Sequence, residues 1–337
     1  MFNLKNKTLL ITGGTGSFGQ NFTKYLLKKH NELKKIIILS RDELKQYNMQ
    51  NQFTQKENNK LRFFLGDIRD KDRIYTALEN VDAVVHAAAL KQVPAAEYNP
   101  IEFIKTNVIG AQNIIECCIE RNVNNVVALS TDKAVAPINL YGATKLCFEK
   151  LFISANNISG NKDVRFCVVR YGNVFGSRGS VYPYFESIKN KGFFPITDLS
   201  MTRFNISLKE SIELVLWTIK HNIGGEIFIP KLPSYKILDL AKTIQKKNKI
   251  KVIGIRPGEK IHEELISETE SANTYDVGKY YAIIQNPPLK IKKKIKKNFY
   301  KKIKNRFSYN SGKNNAFLSG NELKKIIIDH KKYITNG

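Results

Sequence analysis

The feature that most narrows what this chain can fold into is a rhythm. Short β-branched runs, TLLIT (8–12), KIIILS (35–40), LRFFLG (61–66), DAVVHAA (82–88), NVVALS (125–130) and RFCVVR (165–170), alternate with amphipathic stretches such as NFTKYLLKKH, DRIYTALENV and IEFIKTNVIGAQNIIECCIERN. Near-continuous apolar strands separated by helical patterns predict an α/β fold, a parallel sheet covered on both faces. In such sheets ligands bind beyond the carboxyl ends of the strands, so the loops after each run are the ones to read for chemistry. After about residue 172 the text changes to Gly-, Arg- and Pro-bearing loops, GNVFGSRGSVYP, ITDLSMTRF and IGIRPGEK. Residues 1–172 are therefore expected to form the large domain, with 205–230 (LKESIELVLWTIKH and EIFIP) returning to it. Residues 173–337 are expected to form a smaller mixed domain and a C-terminal extension.

GGTGSFG (13–19) leaves the first strand and opens a helix. Glycine at Gly13, Gly16 and Gly19 lets the backbone turn sharply and approach a pyrophosphate, and the helix offers that anion free N–H groups. This placement predicts a Rossmann-type, doubly wound sheet with a dinucleotide cradle made by Gly13, Thr15, Gly16, Ser17, Phe18 and Gly19. The second strand ends in Ser40-Arg41-Asp42, with Lys45 one turn on. An acidic residue here suits the ribose of NAD and an arginine the extra phosphate of NADP. Arg41, Ser40 and Lys45 favour NADP, while Asp42 pulls the other way. Asp67 and Ile68 end the third strand on the adenine side, and Ala87 and Ala88 allow close cofactor approach at the fourth.

Composition removes several function classes. No apolar run is long enough for a membrane span, and no signal-peptide core precedes the first strand, so a cytoplasmic location is expected. No HExxH, HxH or CxxC spacing suggests a metal. Cys117, Cys118, Cys147 and Cys167 sit in apolar contexts and read as small core residues. The formal charge of +25 gathers partly in LKIKKKIKKNFYKKIKNRF (289–307), but no nucleic-acid motif accompanies it. That run reads as a solvated face, and no nucleic-acid partner is expected.

The chemistry is expected in STDKAVAPINLYGATK (130–145). Tyr141 and Lys145 are four apart on one helix face. A tyrosine acting as a base near neutral pH needs positive charge nearby, which Lys145 and an oxidised nicotinamide would supply. Arg178, Arg203 and Arg256 offer planar forks for an anionic substrate.

GGTGSFG, HAAALKQVPAAEYNP, STDKAVAPINLYGATK, RYGNVFGSRGSVYP, MTRF and RPGEK together resemble the inverting UDP-N-acetylglucosamine 4,6-dehydratases. These are extended short-chain dehydrogenase/reductases that open the route to pseudaminic acid, a sugar of flagellins and surface glycans. The resemblance runs from the first strand to about residue 285. It implies UDP-N-acetylglucosamine as substrate, NADP as cofactor and a homo-oligomer. Retaining relatives carry Asp-Glu where this chain has Asp132-Lys133. The resemblance implies that Tyr141 takes the C4 hydroxyl proton, Lys133 the C5 proton, that Asp132 expels the C6 hydroxyl and that Thr131 bonds the C4 oxygen. A neutral Lys133 beside Asp132 requires that Asp132 be protonated, or that the two share a proton. Lys91, Asn173, Gly179, Ser180, Val181, Thr197, Met201 and Glu259 join the three arginines as implied substrate contacts, with Lys91 also near the cofactor. Asn205 stands where an aromatic is usual in the family. Two rival readings remain: a nucleotide-sugar 4-epimerase, in which Lys133 would be idle, and an NADP-sensing regulator that binds nucleic acid.

Overall fold

The computed structural model describes residues 2–285, 292, 293, 295 and 299–335. Six strands match the expected runs closely: β1 (Thr8–Thr12), β2 (Lys35–Ser40), β3 (Leu61–Leu65), β4 (Ala83–His86), β5 (Asn125–Thr131) and β6 (Arg165–Tyr171). They lie in the order β3-β2-β1-β4-β5-β6, all parallel. Every residue of β1 is buried, as a strand sandwiched between helix layers requires. The order reverses between β1 and β4, which opens a crevice at their carboxyl ends.

Strand Glu226–Pro230 pairs parallel with β6. The sequence pattern places the chain beyond residue 230 in the smaller domain. Instead Tyr280–Ile284, Thr274–Asp276 and Lys301–Lys302 continue the large sheet in antiparallel fashion. Their apolar faces explain this: Trp217 packs at a tilt on Tyr280 and stacks on Phe299, and Ile283 and Ile284 are buried in the main core. An uncovered Glu226–Pro230 would otherwise be a bare sheet edge.

A second core gathers Phe175, Tyr182, Phe185, Phe194, Ile196, Met201, Tyr235 and Leu240 with Leu323 and Ile327 of the C-terminal helix Gly320–Thr335. It is the centre of the smaller unit, whose two-stranded sheets pair Phe193–Ile196 with Lys249–Val252 and Thr202–Phe204 with Ser234–Lys236.

The stretch 101–122 differs from the single helix its periodicity predicts. It runs as Pro100–Ile104, a wide π turn at Lys105–Ile109, and Gly110–Glu120. The wide turn frees Asn107 to bond Leu90 N–H, Leu90 C=O and the Thr144 hydroxyl. That bond set ties the loop after β4 to the helix Leu140–Ile158. Three cysteines are buried as expected, but Cys147 is exposed on the outer face of that helix. Residues 289–291, 294 and 296–298 of the lysine-rich run lie outside the described residues. Among the described residues, no helix is long and apolar enough to cross a membrane, and no three His, Cys, Asp or Glu side chains cluster as a metal site.

Candidate active site

The crevice is a cavity of about 790 Å³ at the carboxyl ends of β1, β2, β4, β5 and β6. One end is the glycine loop. Gly13 has φ 63°, and a Cβ there would lie 2.8 Å from the Ala88 Cα, so only glycine lets the loops after β1 and β4 touch. Thr12 sits beneath, its hydroxyl accepting from Ala87 and Ala88 N–H and paired with the buried His86. Burial holds the His86 imidazole neutral, down to about 3. Gly13, Thr15, Gly16, Ser17, Phe18, Gly19, Ser40, Arg41, Asp42, Lys45, Asp67, Ile68, Ala87 and Lys91 all line the cavity.

At the end of β2, Asp42 caps the helix Glu43–Gln50. One carboxylate oxygen accepts from Lys45 N–H and the other meets the Lys45 ammonium. That carboxylate is therefore engaged in folding its own loop. Arg41 is exposed and lies 3.7 Å from Asp67, which Arg69 grips at 2.8 Å.

The other end of the cavity holds Thr131, Asp132, Lys133, Tyr141 and Lys145. Asp132–Ala134 forms a single 3-10 turn after β5, capped by the Thr131 side chain. The chain then reverses through Ala136, at φ 41°, and enters the helix Leu140–Ile158, which Asn139 caps. Gly142 packs directly on the Lys133 carbonyl, where a Cβ would come within 2.3 Å. This contact holds Lys133 and Tyr141 in one pocket. The Asn139 amide also donates to the Gly258 carbonyl at 2.7 Å, fastening the RPGEK loop to the same helix start.

Lys145 is buried, donates to the Leu129 carbonyl at 2.8 Å and lies over the Phe148 ring. Burial pulls its ammonium down to about 7, against weak opposition from Glu149. Burial pushes the Tyr141 phenol up to about 12, and the positive charge that offsets this is Lys133. The Tyr–Lys spacing in the sequence points to Lys145 for that task, and Lys133 lines the same pocket as a second cation.

Lys133 is the centre of a small charge cluster. Its Nζ lies 3.1 Å from Asp132 Oδ1 and 3.1 Å from Glu263 Oε1. Burial acts to lower its pKa, but the two carboxylates outweigh it and the ammonium is held well above its ordinary value. Asp132 is fully buried and its carboxyl is pushed upward by that burial. Sequence reasoning missed Glu263, which lies 130 positions from Lys133 in the sequence. Arg203, a substrate fork by sequence, is buried instead. It donates to the Thr202 and Ile261 carbonyls and lies 3.7 Å from Glu263 and 3.8 Å from Glu259.

The remaining expected contacts divide. Asn173, Arg178, Gly179 and Ser180 line the cavity. Asn173 Oδ1 and Ser180 Oγ are buried without a partner, as groups awaiting a ligand would be. Arg178 reaches over to the glycine loop, 3.3 Å from the Ser17 hydroxyl, and Lys91 donates to its carbonyl. Val181, Thr197, Met201, Arg203, Arg256 and Glu259 do not line the cavity. Val181 and Met201 pack on the second core, Thr197 bonds Glu259 and Arg256 is exposed. Asn205 is buried beneath, its Oδ1 unpartnered.

A nucleotide cradle and a Tyr–Lys pair on one parallel sheet define an extended short-chain dehydrogenase/reductase. Residues 9–285 match the family described as "Polysaccharide biosynthesis protein". Over 336 residues the chain is 52% identical to the UDP-N-acetylglucosamine 4,6-dehydratase (inverting) of Campylobacter jejuni subsp. jejuni serotype O:2, covering 97% of this chain and 98% of that one. It is 47% identical over 285 residues to the UDP-glucose 4-epimerase of Rickettsia akari, covering 82% and 83%. The X-ray structure of Pen from Bacillus thuringiensis superposes with a TM-score of 0.89 at 38% identity, covering 98% and 99%. The chain belongs to the polysaccharide-biosynthesis branch of this superfamily, among the inverting UDP-N-acetylglucosamine 4,6-dehydratases.

Proposed function

We propose that this protein removes water from UDP-N-acetylglucosamine across C5 and C6 and inverts C5. The observation that carries the reading is the placement of Asp132 and Lys133 in the same cavity wall as Tyr141. Oxidation and epimerisation at C4 need only Tyr141 and the dinucleotide. Elimination needs a base and an acid more, and the site has both.

The cavity fits a dinucleotide: the Gly13 cradle leaves no room for a Cβ, and Asn173 Oδ1 and Ser180 Oγ stand unpartnered on its wall. When bound, NADP would supply a reversible hydride acceptor for the oxidation at C4 and the reduction at C6. Tyr141 removes the C4 hydroxyl proton while Thr131 bonds the C4 oxygen. The C4 ketone acidifies C5–H, which Lys133 removes as the amine once the ammonium paired with Asp132 and Glu263 has released its proton to solvent. Asp132 gives its proton to the departing C6 hydroxyl, which leaves as water. A proton reaching C5 from the face opposite Lys133 inverts that centre. Burial pushes the Tyr141 phenol up to about 12, so this role draws on positive charge beside it. Lys91, Asn173, Arg178, Gly179 and Ser180 are the substrate contacts of this proposal.

NADP is the favoured cofactor because Asp42 is occupied as a helix cap while Arg41 stands exposed beside the pocket. Arg41→Ala is expected to weaken NADP binding about tenfold, or ~1.4 kcal/mol, and to leave NAD binding unchanged. Equal loss for both dinucleotides would overturn that choice. Entry to pseudaminic acid synthesis, a cytoplasmic location and self-association belong to the same proposal and rest on family resemblance.

The likeness to a 4-epimerase makes that the second reading. Incubation with UDP-N-acetylglucosamine and catalytic NADP separates them by product mass. Loss of one water supports dehydration, and an unchanged mass supports epimerisation.

A further inference from the structure

One ammonium faces two buried carboxylates in this site, and the two differ in their other neighbours. Glu263 is 2% exposed and lies between two cations, Lys133 at 3.1 Å and Arg203 at 3.7 Å. Its N–H donates to the Ser311 hydroxyl, and Ser311 N–H donates to its carbonyl, so the backbone that aims it is fixed at both ends. Asp132 has Lys133 as its sole cation within ion-pair range among the described residues, and Thr131 donates to its Oδ1 at 2.9 Å. Its Oδ2 is sealed without a partner, 3.0 Å from where a Gly172 Cβ would stand. A bare carboxylate oxygen in such a seal is costly, whereas a carboxylate between two cations is not. Glu263 Oε2 also lacks a hydrogen bond, but it belongs to the doubly countered group.

We propose that Glu263 is a positioning residue that supplies the counter-charge for Lys133, leaving Asp132 free to hold the proton it delivers to the substrate. Glu263 does not line the cavity, so it acts through Lys133. This separates the two carboxylates before the reaction begins: Glu263 counters the Lys133 ammonium of the resting enzyme, and Asp132 keeps its proton. The directions of charge agree. Burial raises the Asp132 carboxyl, while Lys133 and Arg203 overcome burial and lower that of Glu263. The other titratable groups facing the cluster are Lys91, Tyr141, Tyr235, Glu259, Lys260 and His262. The proposal rests on the dehydratase reading for the destination of the proton, but not for its location.

The test reads the proton directly. Infrared difference spectra of the cofactor-free protein, wild type minus Asp132→Asn, are expected to show the carbonyl stretch of a protonated carboxyl near neutral pH. Glu263→Gln removes the competing anion, so Asp132 ionises to serve Lys133 and the band disappears. Glu263→Asp keeps the charge and the band. In turnover of UDP-N-acetylglucosamine, Glu263→Gln is expected to lower kcat about 30-fold with KM within threefold, and to move the alkaline limb of kcat/KM at least one pH unit downward. Glu263→Asp is expected to hold that limb in place. A merely structural Glu263 would lower the melting temperature and leave the limb and the band where they were. No Asp132-dependent band in the wild type overturns the proposal. A band present in a protein that leaves the mass of UDP-N-acetylglucosamine unchanged overturns the dehydratase reading and leaves the proposal standing.

Discussion

Replacing Lys145 with methionine should stabilise the cofactor-free protein while destroying its activity. The Lys145 ammonium falls from 10.5 to about 7 because it is buried with little compensation. At ~1.4 kcal/mol per unit, holding it in the folded state costs about 4 to 5 kcal/mol at pH values below its folded pKa. Methionine fills similar volume and carries no proton. It forfeits the bond to the Leu129 carbonyl, about 1 kcal/mol, and the contact with Phe148, about 1 kcal/mol more. A net gain of about 2 kcal/mol is expected near pH 6. The proton count sets the sign of its pH dependence. From about pH 7 to about pH 10 the unfolded chain binds the proton and the folded one does not, so the Lys145 contribution becomes less unfavourable as pH rises. The advantage of Lys145→Met should therefore shrink across that window, vanish near its middle and become a deficit of about 2 kcal/mol by its end. Urea unfolding monitored by the sole tryptophan, Trp217, which packs on the same core as the Lys145 helix, reads this directly. A variant less stable than wild type near pH 6, or a difference that does not change with pH, would refute the reasoning.

Gly13→Ala should abolish dinucleotide binding, at least 100-fold by calorimetry, because its Cβ would meet Ala88 backbone at a φ that alanine disfavours; retained binding would show that the β1 and β4 loops can separate. Arg170 is buried between Glu149 at 2.6 Å and Glu270 at 2.8 Å, so Arg170→Met leaves two stranded carboxylates. It should destabilise by about 3 to 5 kcal/mol in the same urea assay. Tyr141→Phe should bind NADP as wild type does and form no dehydrated product, since the phenol oxygen alone takes the C4 proton; measurable water loss would remove Tyr141 from the mechanism.

The parts of the fold written locally were legible. Runs such as KIIILS and RFCVVR are strands in the structure because an apolar stretch between two helix layers is locally encoded. The glycine loop and the Tyr–Lys spacing were legible for the same reason. The features that escaped notice depend on distant contacts. Glu263 stands in IHEEL beside Glu264; the first is buried against Lys133 and the second is half-buried, bonded to Ser308. Nothing in the local pattern separates them. Arg203 looks like a phosphate fork because its type suits one, yet its Nη1 donates to the Thr202 and Ile261 carbonyls and its Nε and Nη2 face Glu263 and Glu259. Cys147 reads as apolar but falls on the outward face of its helix. The strands Thr274–Asp276 and Tyr280–Ile284 read as part of the smaller unit because their short text does not specify which sheet edge they cover.

The central claim is that Lys133 takes the C5 proton of the ketosugar. Proton NMR of the fresh product formed in heavy water tests it most directly. The account predicts a deuteron at C5, altered ring couplings and loss of one water with the wild type. With Lys133→Ala it predicts none of these, though NADP still binds. Normal deuteration and water loss in that variant would contradict it.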